Sequence, residues 1–284
     1  MKTNQRFSPR RGLITLLALT SLGGAITANA TNSETSNTTL SKISAGDHRS
    51  ESHIARNANR HPVETLAFFD IQPDMTVVEI WPGSGGWYTE ILAPYLKDSG
   101  KLYAAHFDPN SSVQFFRKSL KKFQAKIADH PDHYGALAIT ALGAPQELDI
   151  APANSADRVL TFRNVHNWLQ QDENGLAVFQ AMYKALKPGG ILGVVEHRAP
   201  DHFTVREMRK SGYSSETFTI ALAKKAGFKL LDKSELNANT KDTKDHPNGV
   251  WSLPPTLRGD VEKQQKYLNI GESDRMTLKF IKPL

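Results

Sequence analysis

The sequence predicts an α/β chain in which a mostly parallel sheet carries helices on both faces. Three observations predict it. Short apolar runs rich in Val, Ile and Leu alternate with longer segments whose apolar residues recur every three or four positions. Several of the short runs are apolar at consecutive positions, the pattern of strands covered on both sides. Gly and Pro punctuate the boundaries, as in Lys187-Pro188-Gly189-Gly190.

The elements follow in order. From Glu51 to Phe69, Ile54, Ala58, Val63, Leu66 and Phe69 recur at helical spacing, and Pro62 divides the stretch into two helices. Thr76–Ile80 is a buried strand that runs into a glycine-rich turn, and Trp87–Leu96 is a helix. Lys101–Phe107 is the second strand. The next helix spans about 112–128, with Phe116, Leu120, Phe123 and Ile127 on one face. Residues 136–142 and 158–162 are the third and fourth strands. A helix over 175–186 stops at the Lys-Pro-Gly-Gly turn. Residues 191–196 form the fifth strand, 216–226 a helix ended by Gly227, 228–231 the sixth strand and 276–281 the last. Residues 233–273, between the last two strands, have few periodic apolar positions and read as a long insertion, of the kind that is usually functional or disordered.

The first thirty residues read as an export signal. Lys2, Arg6, Arg10 and Arg11 precede a short apolar stretch from Leu13 to Leu22, and Ala28-Asn29-Ala30 has the small-x-small form of a cleavage site. The apolar stretch is too short for a stable anchor. The Arg10-Arg11 pair leaves two routes open, twin-arginine export and ordinary secretion. Residues 31–50, rich in Ser, Thr and Asn, read as a disordered linker, and 51–284 as one domain.

Export alters the charge balance. The chain has 35 Lys+Arg and 29 Asp+Glu. Without the leader's four basic residues the excess nearly vanishes. The basic character therefore does not point to nucleic acid, which wants a clustered basic face. There is no cysteine, so disulfides, thiolate metal sites and lipid-modified Cys are excluded. His130 and His133 flank Pro131 without further ligands at metal spacing, and no metal is expected.

The string Val77-Val78-Glu79-Ile80-Trp81-Pro82-Gly83-Ser84-Gly85-Gly86-Trp87-Tyr88 carries the main chemical signal. A buried strand enters a glycine turn that opens a helix, so a ligand can approach the backbone and meet free N–H groups. The segment resembles motif I of class I S-adenosylmethionine (SAM)-dependent methyltransferases, with Glu79 at the acidic position and Gly83 and Gly85 at the later glycines. Ala185 to Leu192, with its Lys-Pro-Gly-Gly turn, is similar to that family's approach to the fifth strand. The Trp-Pro-Gly-Ser-Gly-Gly-Trp-Tyr string resembles a subgroup of exported members.

The resemblance implies a Rossmann-like, seven-stranded, mostly parallel sheet with helices on both faces and an antiparallel last strand. It also implies SAM as cofactor, held by Glu79, Trp81, Gly83, Ser84, Gly85, His106 and Asp108. Three positions depart from the pattern. Trp81 replaces the first glycine. His106 stands where the family has its ribose-binding acid, with Asp108 two residues on. Ala144 aligns with the acid that contacts adenine, and Glu147 is nearby but out of register.

The fourth strand ends in Phe162-Arg163-Asn164-Val165-His166-Asn167-Trp168, whose Arg-Asn pair is similar to that of quinone-ring C-methyltransferases. Methyl transfer needs an aligned acceptor and, for a hydroxyl, removal of a proton. His166 is the candidate base and Asn164 a candidate orienting group; helix capping is the alternative for His166 and Asn167, and core packing for Trp168. Glu196-His197-Arg198, after the fifth strand, reads as a polar cluster at the same sheet edge. Trp251 reads as packing for the insertion.

The expected activity is methyl transfer to a small or envelope-associated acceptor. The alternative is an exported, non-catalytic binding protein that keeps a degenerate form of the fold. A dinucleotide-dependent oxidoreductase fits less well, because Gly83-x-Gly85-Gly86 lacks the third glycine at its place.

Overall fold

The computed structural model describes residues 1–2, 35–169 and 174–284. The predicted leader beyond Lys2, its cleavage site and residues 31–34 lie outside the described residues. Residues 35–44 form a helix, α1, with Leu40 buried against Leu66 and Ile91 in the core. This departs from the linker expected over 31–50. Ser, Thr and Asn dominate that stretch, but Leu40, Ile43 and Ser44 face the domain at helical spacing and are enough to seat it.

Three short helices follow: α2 (Glu51–Ile54), α3 (Asn57–Arg60) and α4 (Pro62–Phe68). Pro62 opens α4, where its missing N–H costs nothing. Then come β1 (Thr76–Ile80), α5 (Thr89–Leu96), β2 (Lys101–Phe107), α6 (Gln114–Asp129), α7 (Pro131–Tyr134) and β3 (Leu137–Leu142). The chain continues through β4 (Ala156–Phe162), α8 (Val165–Trp168), α9 (Asn174–Ala185) and β5 (Leu186–Ala199). It closes with α10 (Val205–Ser211), β6 (Ser214–Ser215), α11 (Glu216–Lys225), β7 (Lys229–Ser234), α12 (Gln264–Ile270) and β8 (Arg275–Ile281).

The strands form one sheet in the order β3-β2-β1-β4-β5-β8-β7, and the two-residue β6 pairs with β5. The pairings from β3 to β5 are parallel, and β8 runs antiparallel between β5 and β7. The expected sheet of seven strands is present, with β6 as a small eighth. Strand β5 begins at Leu186, because Lys187 to Gly190 extend the strand where a turn was expected; Gly189 N donates to Lys282 O at 2.8 Å and Lys282 N to Gly190 O at 2.9 Å.

Each face buries its own core. Val78 and Ile80 point to the side of α9 and α11, among Phe179, Met182 and Leu278. Val77 points to the side of α4 and α5, with Leu66, Phe69, Ile91 and Leu160. Alternation along β1 therefore sends Glu79 to the α5 face. The connections after β1 and after β4 leave on opposite sides of the sheet's reversal point, so a crevice opens at the carboxyl ends of these two strands. Among the described residues no helix is long and apolar enough to cross a membrane.

Candidate functional site

The glycine turn closes β1 at that crevice. Gly83 sits at φ 71°, and a Cβ there would face open space, so its backbone is presented to whatever enters. Gly86 sits at φ 57°, and a Cβ would stand 2.8 Å from the Phe123 ring, so only glycine lets α6 pack here. Glu79 is buried behind the turn and accepts from Thr89 Oγ1 at 2.6 Å, tying β1 to the first turn of α5. Burial raises its pKa from 4.5 to about 7, partly countered by that bond and by the charge of Arg163. Ser84 is exposed at the tip.

The segment before α2 reaches over the turn. Buried Glu90, in α5, accepts from Arg49 Nε at 3.1 Å and His53 Nδ1 at 2.9 Å, and pairs closely with Lys126. Lys126 also donates to Gly85 O at 2.7 Å. Trp87 lies between two guanidiniums, Arg49 at 4.7 Å and Arg60 at 4.6 Å from its ring centre.

His106 does not face the crevice. It is fully buried, with Nδ1 accepting from Phe107 N at 2.8 Å. That leaves Nε2–H to donate to Gly83 O at 3.2 Å. Burial lowers its pKa to about 4, so it stays neutral and acts as a brace behind the turn. The expectation that His106 contacts cofactor is corrected by strand alternation, which turns the ring inward toward Phe123. Asp108, just past the strand, is half-buried, accepts from Asn110 N at 2.7 Å and lines a cavity.

That cavity, of about 460 Å³, lies over the ends of β1, β2 and β3. Trp81, Phe107, Phe116 and Trp168 form its aromatic walls, with Ala144 and Gln146 at the rim; exposed Glu147 is not among the lining residues. Trp81 adopts φ 45° and donates from Nε1 to Leu142 O at 3.0 Å, which fixes its ring 4.7 Å from Phe107 and 5.7 Å from Trp168. Trp168 Nε1 is buried and has no hydrogen-bond partner among the described residues. The volume suits a small-molecule site. A larger groove, of about 930 Å³, flanks the opposite end of β1 and is lined by Asp70, Asp74 and Asp98. We assign function to the smaller cavity because ligands bind at the carboxyl ends of parallel strands.

On the other side of the crevice, the β4–α8 turn and the end of β5 bring a polar set together. Asn164 is buried and donates from Nδ2 to Ile80 O at 2.9 Å, locking β1 to β4 rather than facing a ligand. The Nδ2 of Asn164, expected to orient substrate, is thus engaged by the β1 backbone. His166 places Nδ1 at 3.0 Å from Glu196 Oε1. Glu196 is completely buried and also accepts from His197 N at 2.7 Å. The His166 ring meets His197 at 5.4 Å and the edge of Trp251 at 6.2 Å.

The insertion covers this edge. Glu272 binds Arg56 at 2.6 Å, Arg60 at 3.1 Å and Arg275 at 2.5 Å. These cations overcome burial and hold its carboxyl at about 2. Trp251 packs with Met208, Tyr213 and Val250, so the expected packing role holds while its edge also reaches the site. Sequence reasoning gave too little weight to Glu196, His197, Arg163, Glu272 and Arg275. The Glu196-His197-Arg198 string at a strand end was the available signal; Glu272 and Arg275 gave none, because only the fold of the insertion returns them to β4.

No family model and no curated protein matches this chain. Solved structures do. The fold is similar to that of a SAM-dependent methyltransferase from Aquifex aeolicus, at 14% identity, 87% of this chain, 98% of that one and a TM-score of 0.52. It is also similar to the cyclase SpnF, at 17% identity, 84% and 86% coverage and a TM-score of 0.54. A third likeness is to a protein from Galdieria sulphuraria provisionally assigned as a sarcosine dimethylglycine methyltransferase, at 12% identity, 80% and 84% coverage and 0.53. At these identities the shared property is the class I methyltransferase fold, and a cyclase among them shows that the fold hosts other chemistry.

Proposed function

We propose that the chain is a class I SAM-dependent methyltransferase acting on a small or envelope-associated acceptor, with no role in nucleic-acid binding. One observation carries the reading. A cavity walled by four aromatic rings and bordered by Asp108 adjoins the glycine turn at the same crevice as the His166–Glu196 pair. The orphaned Trp168 N–H within the cavity wall calls for an acceptor atom from a ligand.

SAM would be held by the backbone of Gly83 to Gly85, by Asp108 on its ribose and by stacking against Trp81 and Phe116. When bound it supplies an activated methyl group. His106 and Glu79 hold the turn in shape from behind. Asn164 fixes the spacing of the β1 and β4 ends, so that both halves of the crevice keep register. Glu196 accepts the Nδ1 proton of His166, which leaves Nε2 as the free base for an acceptor hydroxyl. As that proton arrives, the buried carboxylate stabilises the imidazolium. Trp251 and the insertion exclude water from the pair.

The leader read from residues 1–30 supports a further part of the proposal, that the protein is exported to the periplasm or secreted and keeps no membrane anchor after cleavage. Fractionation of cells expressing the full chain and a chain lacking residues 1–30 tests this; equal cytoplasmic retention of both refutes it. For the activity, purified protein is titrated calorimetrically with SAM and S-adenosylhomocysteine. Saturable binding is expected, and none at millimolar ligand refutes the enzyme reading in favour of a binding protein that has lost the cofactor.

A further inference from the structure

Cations outnumber anions at the covered edge of the crevice. Burial and the charges of Arg163, Arg56 and Arg275 lower the pKa of Arg60, and burial with Arg275 and Arg56 lowers that of Arg163. One carboxylate, Glu272, pairs with three of them. Arg163 makes no contact ion pair with any described residue, and the carboxyl charges of Glu272 and Glu79 act on it only at longer range. Its backbone is fixed at φ 64° by donation from its N–H to Val195 O at 2.7 Å. Its guanidinium is half-buried and makes no hydrogen bond to any described residue. Arg60 is almost fully buried, and among the described residues both of its terminal nitrogens are without hydrogen-bond partners, as is Nη2 of Arg56. Buried donors and charges left unmatched are costly, so this much uncompensated positive charge implies a missing anion.

The neighbouring His166, Glu196 and His197 could be mistaken for a cation site, since one ligand atom from each lies within 4.8 Å of the others. The surroundings argue otherwise. Glu196 Oε1 is already engaged by His166 Nδ1 and His197 N. Burial, His166, Arg163, Arg275 and Arg60 together keep His197 neutral. The same guanidiniums would repel a divalent ion. They would attract a carboxylate or phosphate, and Arg163 is the one that can meet it with a bidentate fork.

We propose that Arg163, backed by Arg60 and Arg275, binds an anionic group, a carboxylate or phosphate, on the acceptor, and so sets its position relative to His166. This rests on the methyltransferase reading for what the bound molecule is, but not for the binding itself. Arg163 is not among the residues lining the aromatic cavity, which separates its ligand from the purine side of a cofactor.

Inorganic phosphate and benzoate are titrated into the full chain, with the ring resonances of His166 and His197 followed by NMR and chloride as control. Saturable shifts with either anion are expected, weakened about tenfold or more in Arg163→Gln and less in Arg163→Lys. Absence of saturation in the wild type, equal binding in Arg163→Gln, or saturation by zinc but not by anions would overturn the proposal. The wild-type titration decides even where a variant does not fold. S-adenosylhomocysteine and methylthioadenosine, which lacks the amino-acid carboxylate, are titrated in parallel. Weakening of the first alone in Arg163→Gln would assign Arg163 to the cofactor and overturn its acceptor role. Anion binding without S-adenosylhomocysteine binding would sink the methyltransferase reading and leave the anion site standing. The reverse result would sink the anion site alone.

Discussion

Glu196 accepts a hydrogen bond from His166 Nδ1 at 3.0 Å while being completely buried at the end of β5. The pair joins α8, which follows β4, to the neighbouring strand β5, across thirty residues of chain. Nothing but the β4–β5 register brings them together.

If His166 is the base, its loss should act on turnover. His166→Ala and Glu196→Gln are each expected to lower kcat by about 10²–10⁴ with an oxygen acceptor. S-adenosylhomocysteine affinity should change little. Steady-state kinetics with calorimetry on the same preparations checks this, and an unchanged kcat in His166→Ala removes it from the mechanism.

The brace behind the glycine turn predicts a different signature. His106→Leu removes the donor to Gly83 O and the acceptor for Phe107 N. Cofactor affinity should fall by about 1–3 kcal/mol, the cost of buried groups left unmatched. Calorimetric titration of the folded variant gives the answer; wild-type affinity would show that the turn keeps its shape alone.

Glu79 makes stability depend on pH. Its pKa is raised from 4.5 to about 7, so its protonated form is favoured by folding. The associated stability is fully present below pH 4.5 and is lost as pH rises through about 7. His106 works in the opposite direction, its contribution present above 6.5 and lost as pH falls through about 4. The difference between wild type and Glu79→Gln isolates the carboxyl. Denaturant unfolding should show the variant gaining on the wild type by on the order of 3 kcal/mol between acid and mildly alkaline pH. Parallel curves would contradict the assignment.

Asn164 is predicted to be a strut. Asn164→Ala leaves Ile80 O without its donor at the crevice and should cost about 1–3 kcal/mol in unfolding free energy. Asn164→Asp should be worse, because a carboxylate cannot donate to that carbonyl. Thermal melting of both variants tests the order; a stable Asn164→Asp would mean the amide is not bound there.

Much of the fold could be read before any coordinates. The predicted first and second strands coincide with β1 and β2, and α6, α9 and α11 begin or end within two residues of expectation. Consecutive Val and Ile at Thr76–Ile80 and the glycines after it are local signals, set by burial on two faces and by backbone freedom. Helix α1 was missed because only two apolar residues, Leu40 and Ile43, seat it among many polar ones. Short α8 and α10 were missed because one or two turns carry too little periodicity to be seen.

The site was legible in residue type and only partly in role. The sequence determined that a strand, a glycine turn and a helix would form a ligand-approachable end, and that His166 and Glu79 would lie at it. Only the tertiary structure decided which polar groups face the crevice and which hold it together. Alternation along β2 turned His106 inward and Phe107 to the cavity, the end of the strand at Phe107 freed Asp108 to line it, and Asn164 became a link between strands. The insertion, silent in sequence, brought Glu272 and Arg275 back over Arg60 and left Arg163 unmatched. Local propensity depends on neighbours in the chain, whereas charge balance depends on neighbours in space, and those are set only when the sheet order is complete.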